Sequence, residues 1–225
     1  MKHLRNVAAS TDRSMWIELD GWQANLRFSA CHFIPDHPKC GRLHGHTYAM
    51  SATIVGAQIH DFVMDFDDLK KDAAEICEAL DHKILLASRD ADVQIQTTRA
   101  GDISVTVGKC RKRYCFPRED VVMLPINSAS AEDLCCFLLD ELCNTLDLST
   151  ISEVSVRLDE GLGQGAGSVR YFPSERSDSG LSLTLLPVFL FCRGLSLRPN
   201  SEQQRYKVMS RHIRCLGGYK GADHV

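Results

Sequence analysis

No run of this sequence reaches the roughly 20 consecutive apolar residues that a bilayer-spanning helix needs, so no membrane-crossing helix is expected. The first residues carry a few basic side chains with no apolar core behind them, so no secretory signal is expected. An excess of one charge is also missing: 26 Lys and Arg stand against 29 Asp and Glu, a formal net charge of −3. That balance gives no global attraction to nucleic acid or to an anionic membrane surface. Nor is a disulfide framework indicated. The ten cysteines are spread over 225 residues, unlike those of a small stapled scaffold. Cys135 and Cys136 are adjacent and poorly placed to pair with each other, whereas Cys110 and Cys115 flank a short basic run and could face each other in a hairpin. The expectation is a cytoplasmic protein with reduced thiols, most of them small buried hydrophobes.

What is present is enough chain for one or two domains with a sizeable core, and an ordinary globular composition. The informative stretch is Cys40-Gly41-Arg42-Leu43-His44-Gly45-His46. On a strand, residues two apart share a face, so His44 and His46 can present their imidazoles side by side. Upstream, Leu26, Phe28, Ala30 and His32 alternate along one face of an extended segment, with His32 at the end of the apolar row. On a neighbouring antiparallel strand His32 completes a three-nitrogen set, and three protein ligands with an open fourth position are the catalytic arrangement for zinc. Pro35-Asp36-His37-Pro38 breaks the strand, and His37 reads as a loop surface residue. The next strand runs from about His44 to Val55.

Asp65 is a good N-cap for a helix whose stripe is Phe66, Leu69, Ala73, Ile76 and Leu80, ending near Asp81-His82. Residues 88–126 read less clearly, with short strands at Ile103–Val107, Lys112–Phe116 and Val121–Leu124 and the character of an inserted hairpin. Its basic cluster, Lys109, Arg111, Lys112 and Arg113, reads as a solvated turn, with attraction of a triphosphate as the functional alternative. Ser130 caps a second helix, with Asp133 at the capping-box position and Leu134, Leu138, Leu142 and Leu146 as its stripe. The last strand places Val154, Val156, Leu158 and Glu160 on one face, and a carboxylate ending an apolar row requires a partner. Gly161–Gly167 lacks the Lys-Ser/Thr ending of a phosphate loop and reads as a turn into Ser168–Phe172. Residues 173–225 begin linker-like and read as a disordered extension.

Taken together, Phe28-Ser29-Ala30-Cys31-His32, Cys40 to His46, Asp65-Phe66-Asp67-Asp68-Leu69, Leu80-Asp81-His82 and Glu160 resemble the 6-pyruvoyltetrahydropterin synthase and 6-carboxytetrahydropterin synthase family. The resemblance spans about Trp16 to Phe172, within a domain drawn at 14–172. It implies an α+β tunnelling fold, a four-stranded antiparallel sheet with two helices on one face. It also implies homo-oligomers, trimers or hexamers, in which joined sheets leave no exposed edges and active sites lie between subunits. Two departures are visible. Ser130-Ala131-Glu132-Asp133 stands where the family has T-x-E-N, and Gly161 follows Glu160 in place of Thr or Ser.

The roles implied are zinc on His32, His44 and His46; Cys40 as the thiolate base; Asp81 orienting His82 for proton exchange; and Glu160 anchoring a pterin, with Glu132 a second contact. The implied substrate is 7,8-dihydroneopterin triphosphate. The compact spacing from Cys40 to His44 resembles the branch that releases acetaldehyde and yields 6-carboxytetrahydropterin for 7-deazaguanine (queuosine or archaeosine) synthesis. The alternative branch retains the side chain as 6-pyruvoyltetrahydropterin. A zinc-binding subunit without catalysis is the alternative of another class, against which the joint presence of Cys40, Asp81, His82 and Glu160 argues. A barrel-type oxygenase would want a carboxylate among the metal ligands, and no His-x-Asp/Glu spacing supplies one.

Overall fold

The computed structural model describes residues 14–109 and 111–173. The expected C-terminal extension therefore lies, beyond Pro173, outside the described residues, as does Cys110 of the cysteine pair considered above. Ten strands and two α-helices follow in chain order. They are β1 (Met15–Leu19), β2 (Arg27–His32), β3 (His44–Gly56), α1 (Phe66–Leu80), β4 (Lys83–Ala87), β5 (Val93–Thr97), β6 (Ile103–Val107), β7 (Lys112–Phe116), β8 (Val121–Leu124), α2 (Ala131–Thr145), β9 (Ile151–Glu160) and β10 (Gly165–Tyr171). Among the described residues no helix is long and apolar enough to cross a membrane.

The expected four-stranded antiparallel sheet is the centre of the fold. Its order is β10-β9-β3, and β1 and β2 share the remaining edge of the long strand β3. β1 pairs with the far half of β3 (Leu19 opposite Ala52) and β2 with the near half (Arg27 opposite Ala49). They amount to one strand interrupted at residues 20–25, where the Ala24 N–H bonds the Asp20 carbonyl and Asn25 turns left-handed at φ 59°. The sheet is extended by two short parallel strands, β4 on β2 and β8 on β4, for seven strands in all. A separate antiparallel sheet, β5-β6-β7, fills the region between the two helices in sequence.

Both helices bury their stripes in the same core as the sheet. Leu69, Ala73, Cys77 and Leu80 of α1 and Leu134, Leu138 and Leu142 of α2 cluster with Phe28, Met50, Ile54, Val154, Val156 and Leu158. Phe66 departs from the expected stripe, being 50% exposed, and Cys77 takes a buried place instead. Both expected N-caps are present: Asp65 accepts the Asp67 N–H and Ser130 the Asp133 N–H.

The feature that positions chemistry is where the core rows stop. Leu26, just before β2, and Phe28, Ala30 and His32 on it form one row, and each is buried. On β3 the same face carries His44, His46, Tyr48, Met50, Ala52 and Ile54. On β9 it carries Val154, Val156, Leu158 and Glu160. The register pairs His32 with His44, Ala30 with His46, and Tyr48 with Glu160. All three rows therefore turn from apolar to polar at the same end of the sheet.

Candidate metal centre and active site

At that end the ligand-capable nitrogens of His32, His44 and His46 lie within 4.8 Å of one another. Ring centroids are 4.5 Å apart for His32 and His44, 5.1 Å for His32 and His46, and 5.0 Å for His44 and His46. Two of the rings are oriented by backbone carbonyls. His32 Nδ1 donates to the Ala129 carbonyl at 2.6 Å, and His44 Nδ1 to that of Arg42 at 2.8 Å. With Nδ1 carrying the proton, Nε2 is left as the lone-pair nitrogen, the usual outer support of a metal-binding imidazole.

His32 Nε2 is buried and has no hydrogen-bond partner. A buried nitrogen left bare is costly unless something else meets it. Burial chiefly, opposed by the Ala129 carbonyl and aided by the neighbouring His44 and His46, holds the His32 pKa down from 6.5 to about 4. The ring is thus neutral at physiological pH and need lose no proton to become a ligand. The donor set and the bare nitrogen both fit a zinc ion.

Glu160 approaches from β9, its Oε1 3.9 Å from His32 Nε2. Tyr48, opposite Glu160, is fully buried, and its hydroxyl has no partner in hydrogen-bonding geometry. Burial first, then the charge of Glu160, push its phenol pKa well above the usual range. Tyr48 escaped the sequence reading, although it lies two residues beyond His46 on the same face. Asp159 was also missed. It is buried, its Oδ2 accepting the Trp22 indole N–H at 3.1 Å and its Oδ1 ion-paired with the Arg157 guanidinium at 2.6 Å.

Cys40 sits in the loop joining His32 to His44, half-buried. His37 faces solvent, as expected of a loop residue, but its Nδ1 accepts the Cys40 N–H at 2.9 Å and shapes the turn. Gly41 is required next to it, because a Cβ there would stand 2.5 Å from the His37 carbonyl oxygen.

Asp81 caps the end of α1 and is tied to β2. Its Oδ1 accepts the Ser29 N–H at 2.7 Å, and the His82 N–H bonds the Ser29 carbonyl at 2.7 Å. His82 Nδ1 lies 2.8 Å from Asp81 Oδ2, so the expected orienting bond is present. Burial pushes the Asp81 pKa up, but the Ser29 N–H and the bond and charge of His82 outweigh it and hold the carboxyl below its ordinary value. His82 is backbone-strained at φ 57°, and its side chain is 83% exposed. The dyad thus faces solvent in the single chain. Glu132, on the first turn of α2, is likewise exposed.

The start of α2 supports the metal centre through Ala129. Asp133 reaches back past the cap residue, its Oδ2 accepting the Ser128 N–H at 2.9 Å. The segment holding the Ala129 carbonyl is thereby closed from both sides. Asp133→Ala is expected to cost about 1 kcal/mol of stability, as loss of a cap does, and to weaken metal affinity about tenfold. Thermal unfolding and a competitive chelator titration check both numbers.

The fold and site define an α+β protein with a three-histidine group able to hold a metal ion at the polar end of an antiparallel sheet. Comparison with known proteins places it more narrowly. The family model described as 6-pyruvoyl tetrahydropterin synthase matches residues 23–168, and the chain belongs to that enzyme family. A Methanocaldococcus jannaschii protein provisionally named 6-carboxy-5,6,7,8-tetrahydropterin synthase is 38% identical over 162 residues, 70% of this chain and 98% of that one. The Bacillus subtilis 6-carboxy-5,6,7,8-tetrahydropterin synthase is 41% identical over 51 residues, covering 21% of this chain and 35% of that one. Among solved structures, the Plasmodium vivax 6-pyruvoyltetrahydropterin synthase superposes with a TM-score of 0.66 at 26% identity, covering 72% of this chain and all of that one.

Proposed function

We propose that this protein converts 7,8-dihydroneopterin triphosphate and water to 6-carboxytetrahydropterin, triphosphate and acetaldehyde, for 7-deazaguanine synthesis. The observation that carries the reading is the convergence of His32, His44 and His46 within 4.8 Å, with Glu160 on the same face. The carboxy branch is favoured by the short Cys40-to-His44 spacing and by the names of two relatives similar in sequence.

A zinc ion held by His32, His44 and His46 would supply a Lewis acid that lowers the pKa of substrate side-chain hydroxyls. Cys40, in the loop between His32 and His44, takes a proton from the side-chain carbon as a thiolate. Asp81 keeps His82 Nδ1 engaged, which leaves Nε2 to exchange a proton with a substrate hydroxyl or with the thiol. Glu160 accepts the two N–H donors of the pterin edge, its amino group and ring N–H, and so ends its apolar row on a partner. Glu132 is a further pterin contact in this reading.

Because His82 is 83% exposed in the single chain, the dyad is available to a neighbouring copy, in keeping with a trimer or hexamer whose sites lie between subunits. The described cysteines are all free thiols, in keeping with a cytoplasmic setting. Residues 14–172 form the catalytic domain.

Incubation with 7,8-dihydroneopterin triphosphate tests the assignment. The expected products are 6-carboxytetrahydropterin, triphosphate and acetaldehyde. Triphosphate release with the three-carbon side chain retained would assign the pyruvoyl branch, and no turnover of any pterin would remove the enzymatic reading.

A further inference from the structure

The accessory sheet β5-β6-β7 has no role in the reading above, yet it forms one side of the Cys40 loop. The loop's two feet are apolar and join the sheet's own core. Phe33 is 4% exposed and stacks on Tyr114 at 5.7 Å, and Leu43 packs in the same cluster with Ile103, Val105 and Val107.

Between the feet, every backbone polar group of Cys40 and Gly41 is committed. The Cys40 N–H goes to His37 Nδ1, and the Ile34 N–H goes to the Cys40 carbonyl at 2.8 Å. The Gly41 N–H goes to the His37 carbonyl at 3.0 Å. Those three bonds lie inside the loop. The fourth does not: the Gly41 carbonyl accepts from Lys112 Nζ, on β7, at 2.8 Å.

A second tie runs beside the first. Asp36 stands left-handed at φ 58°, and its Oδ1 accepts the Lys109 N–H at 3.3 Å. The approach is so close that a Cβ at Gly108, itself at φ 64°, would lie 2.6 Å from that oxygen. Around these bonds the contact is open. A cavity of about 220 Å³ separates loop and hairpin, lined by Asp36, His37, Gly41, Val107, Gly108 and Lys112. The apolar feet anchor the ends of the loop, and between them the polar ties hold the thiol turn to the sheet.

We propose that Lys112 and Asp36 are positioning residues that clamp the Cys40 turn to the accessory sheet. The inference rests on Cys40 being the reactive thiol of the proposed function. It gives one residue of the basic cluster a structural task inside the protein, where the sequence alone suggests a solvated turn. A charged donor is suited to this, because an ammonium–carbonyl bond is stronger than a neutral one and tolerates an exposed setting.

The test compares the full-length, zinc-loaded protein with its Lys112→Met, Lys112→Arg and Asp36→Gly variants. Asp36→Gly removes the acceptor while keeping the left-handed backbone accessible. The first readout is the rate of Cys40 alkylation by iodoacetamide across a pH series, followed on the Cys40 peptide by mass spectrometry, with exposed Cys115 as the internal control.

Lys112→Met is expected to speed Cys40 labelling about fivefold, while Cys115 and bound zinc stay unchanged. Turnover should show kcat lowered about tenfold with KM within about twofold, the pattern of a misplaced reacting group. Lys112→Arg should restore both. Wild-type labelling in both Lys112→Met and Asp36→Gly would overturn the proposal. So would a rise in KM alone, which would make Lys112 a substrate contact. If the wild-type protein turns over no pterin, the labelling readout still decides the clamp, and only the proposed function falls.

Discussion

Replacing His46 with alanine is expected to leave the protein folded, strip its metal and lower turnover by on the order of a thousandfold, equivalent to about 4 kcal/mol. His46 is the better choice of ligand for this experiment. His32 is 2% exposed and bonds the Ala129 carbonyl, so truncating it opens a cavity and removes a buried hydrogen bond as well as a ligand. His46 is half-buried, so its loss reports mainly on the metal. Two imidazoles remain in the variant, and a tetrahedral catalytic zinc needs three protein ligands. Elemental analysis after dialysis should find about one zinc per chain in the wild type and less than about a tenth of that in the variant. The melting temperature supplies a second measurement. A metal that binds only the folded state stabilises it by about 2.7 kcal/mol at a hundred times its Kd. A chelator should therefore lower the wild-type midpoint by several degrees and leave that of His46→Ala unmoved. Full metal content and turnover in the variant would dissolve the site.

The site was legible because its residues sit where local patterns end. Period-two alternation puts His32 and Glu160 at the last positions of apolar rows, and His-x-His is its own register mark. Both helix starts were legible for a related reason: Asp65 and Ser130 act on N–H groups two or three residues away, so their chemistry lies within the sequence window. What was not legible depends on partners far along the chain. β4 is a short strand whose neighbours, at residues 30–31 and 121–124, pair with it in parallel, and nothing in Lys83–Ala87 alternates. The Ala129 contribution is a carbonyl, which every residue has, so no side chain announces it. The tie from Lys112 to Gly41 spans 71 residues and joins the Cys40 loop to the accessory sheet. β5 is different: Val93-Gln94-Ile95-Gln96 does alternate, and its strand signal was simply outweighed by the irregular region around it.

Two inactive variants, Cys40→Ala and His82→Ala, are expected to regain activity when their subunits are mixed. In a single chain the Asp81–His82 pair is fixed to β2 through Ser29, and His82 points into solvent with 83% of its side chain exposed. Cys40 lies in a different segment, the hairpin loop after His32, held by its own bonds to His37 and Ile34. If each active site takes its thiol from one subunit and its dyad from the next, neither variant alone has a complete site. Random reassembly joins an intact thiol to an intact dyad in about a quarter of the sites, whatever the ring size. Each variant by itself should fall by about three orders of magnitude, since residues that act as one proton-transfer unit fail together. Both should keep their zinc, because neither side chain belongs to the three-imidazole group. The experiment unfolds and refolds the two variants together, then compares turnover with each refolded alone. Recovery near a quarter of the wild-type rate is the expected outcome. A mixture no more active than its components would place thiol and dyad in the same chain, and the exposed His82 would then have to reach Cys40 by a rearrangement that its two bonds to Ser29 and Asp81 oppose.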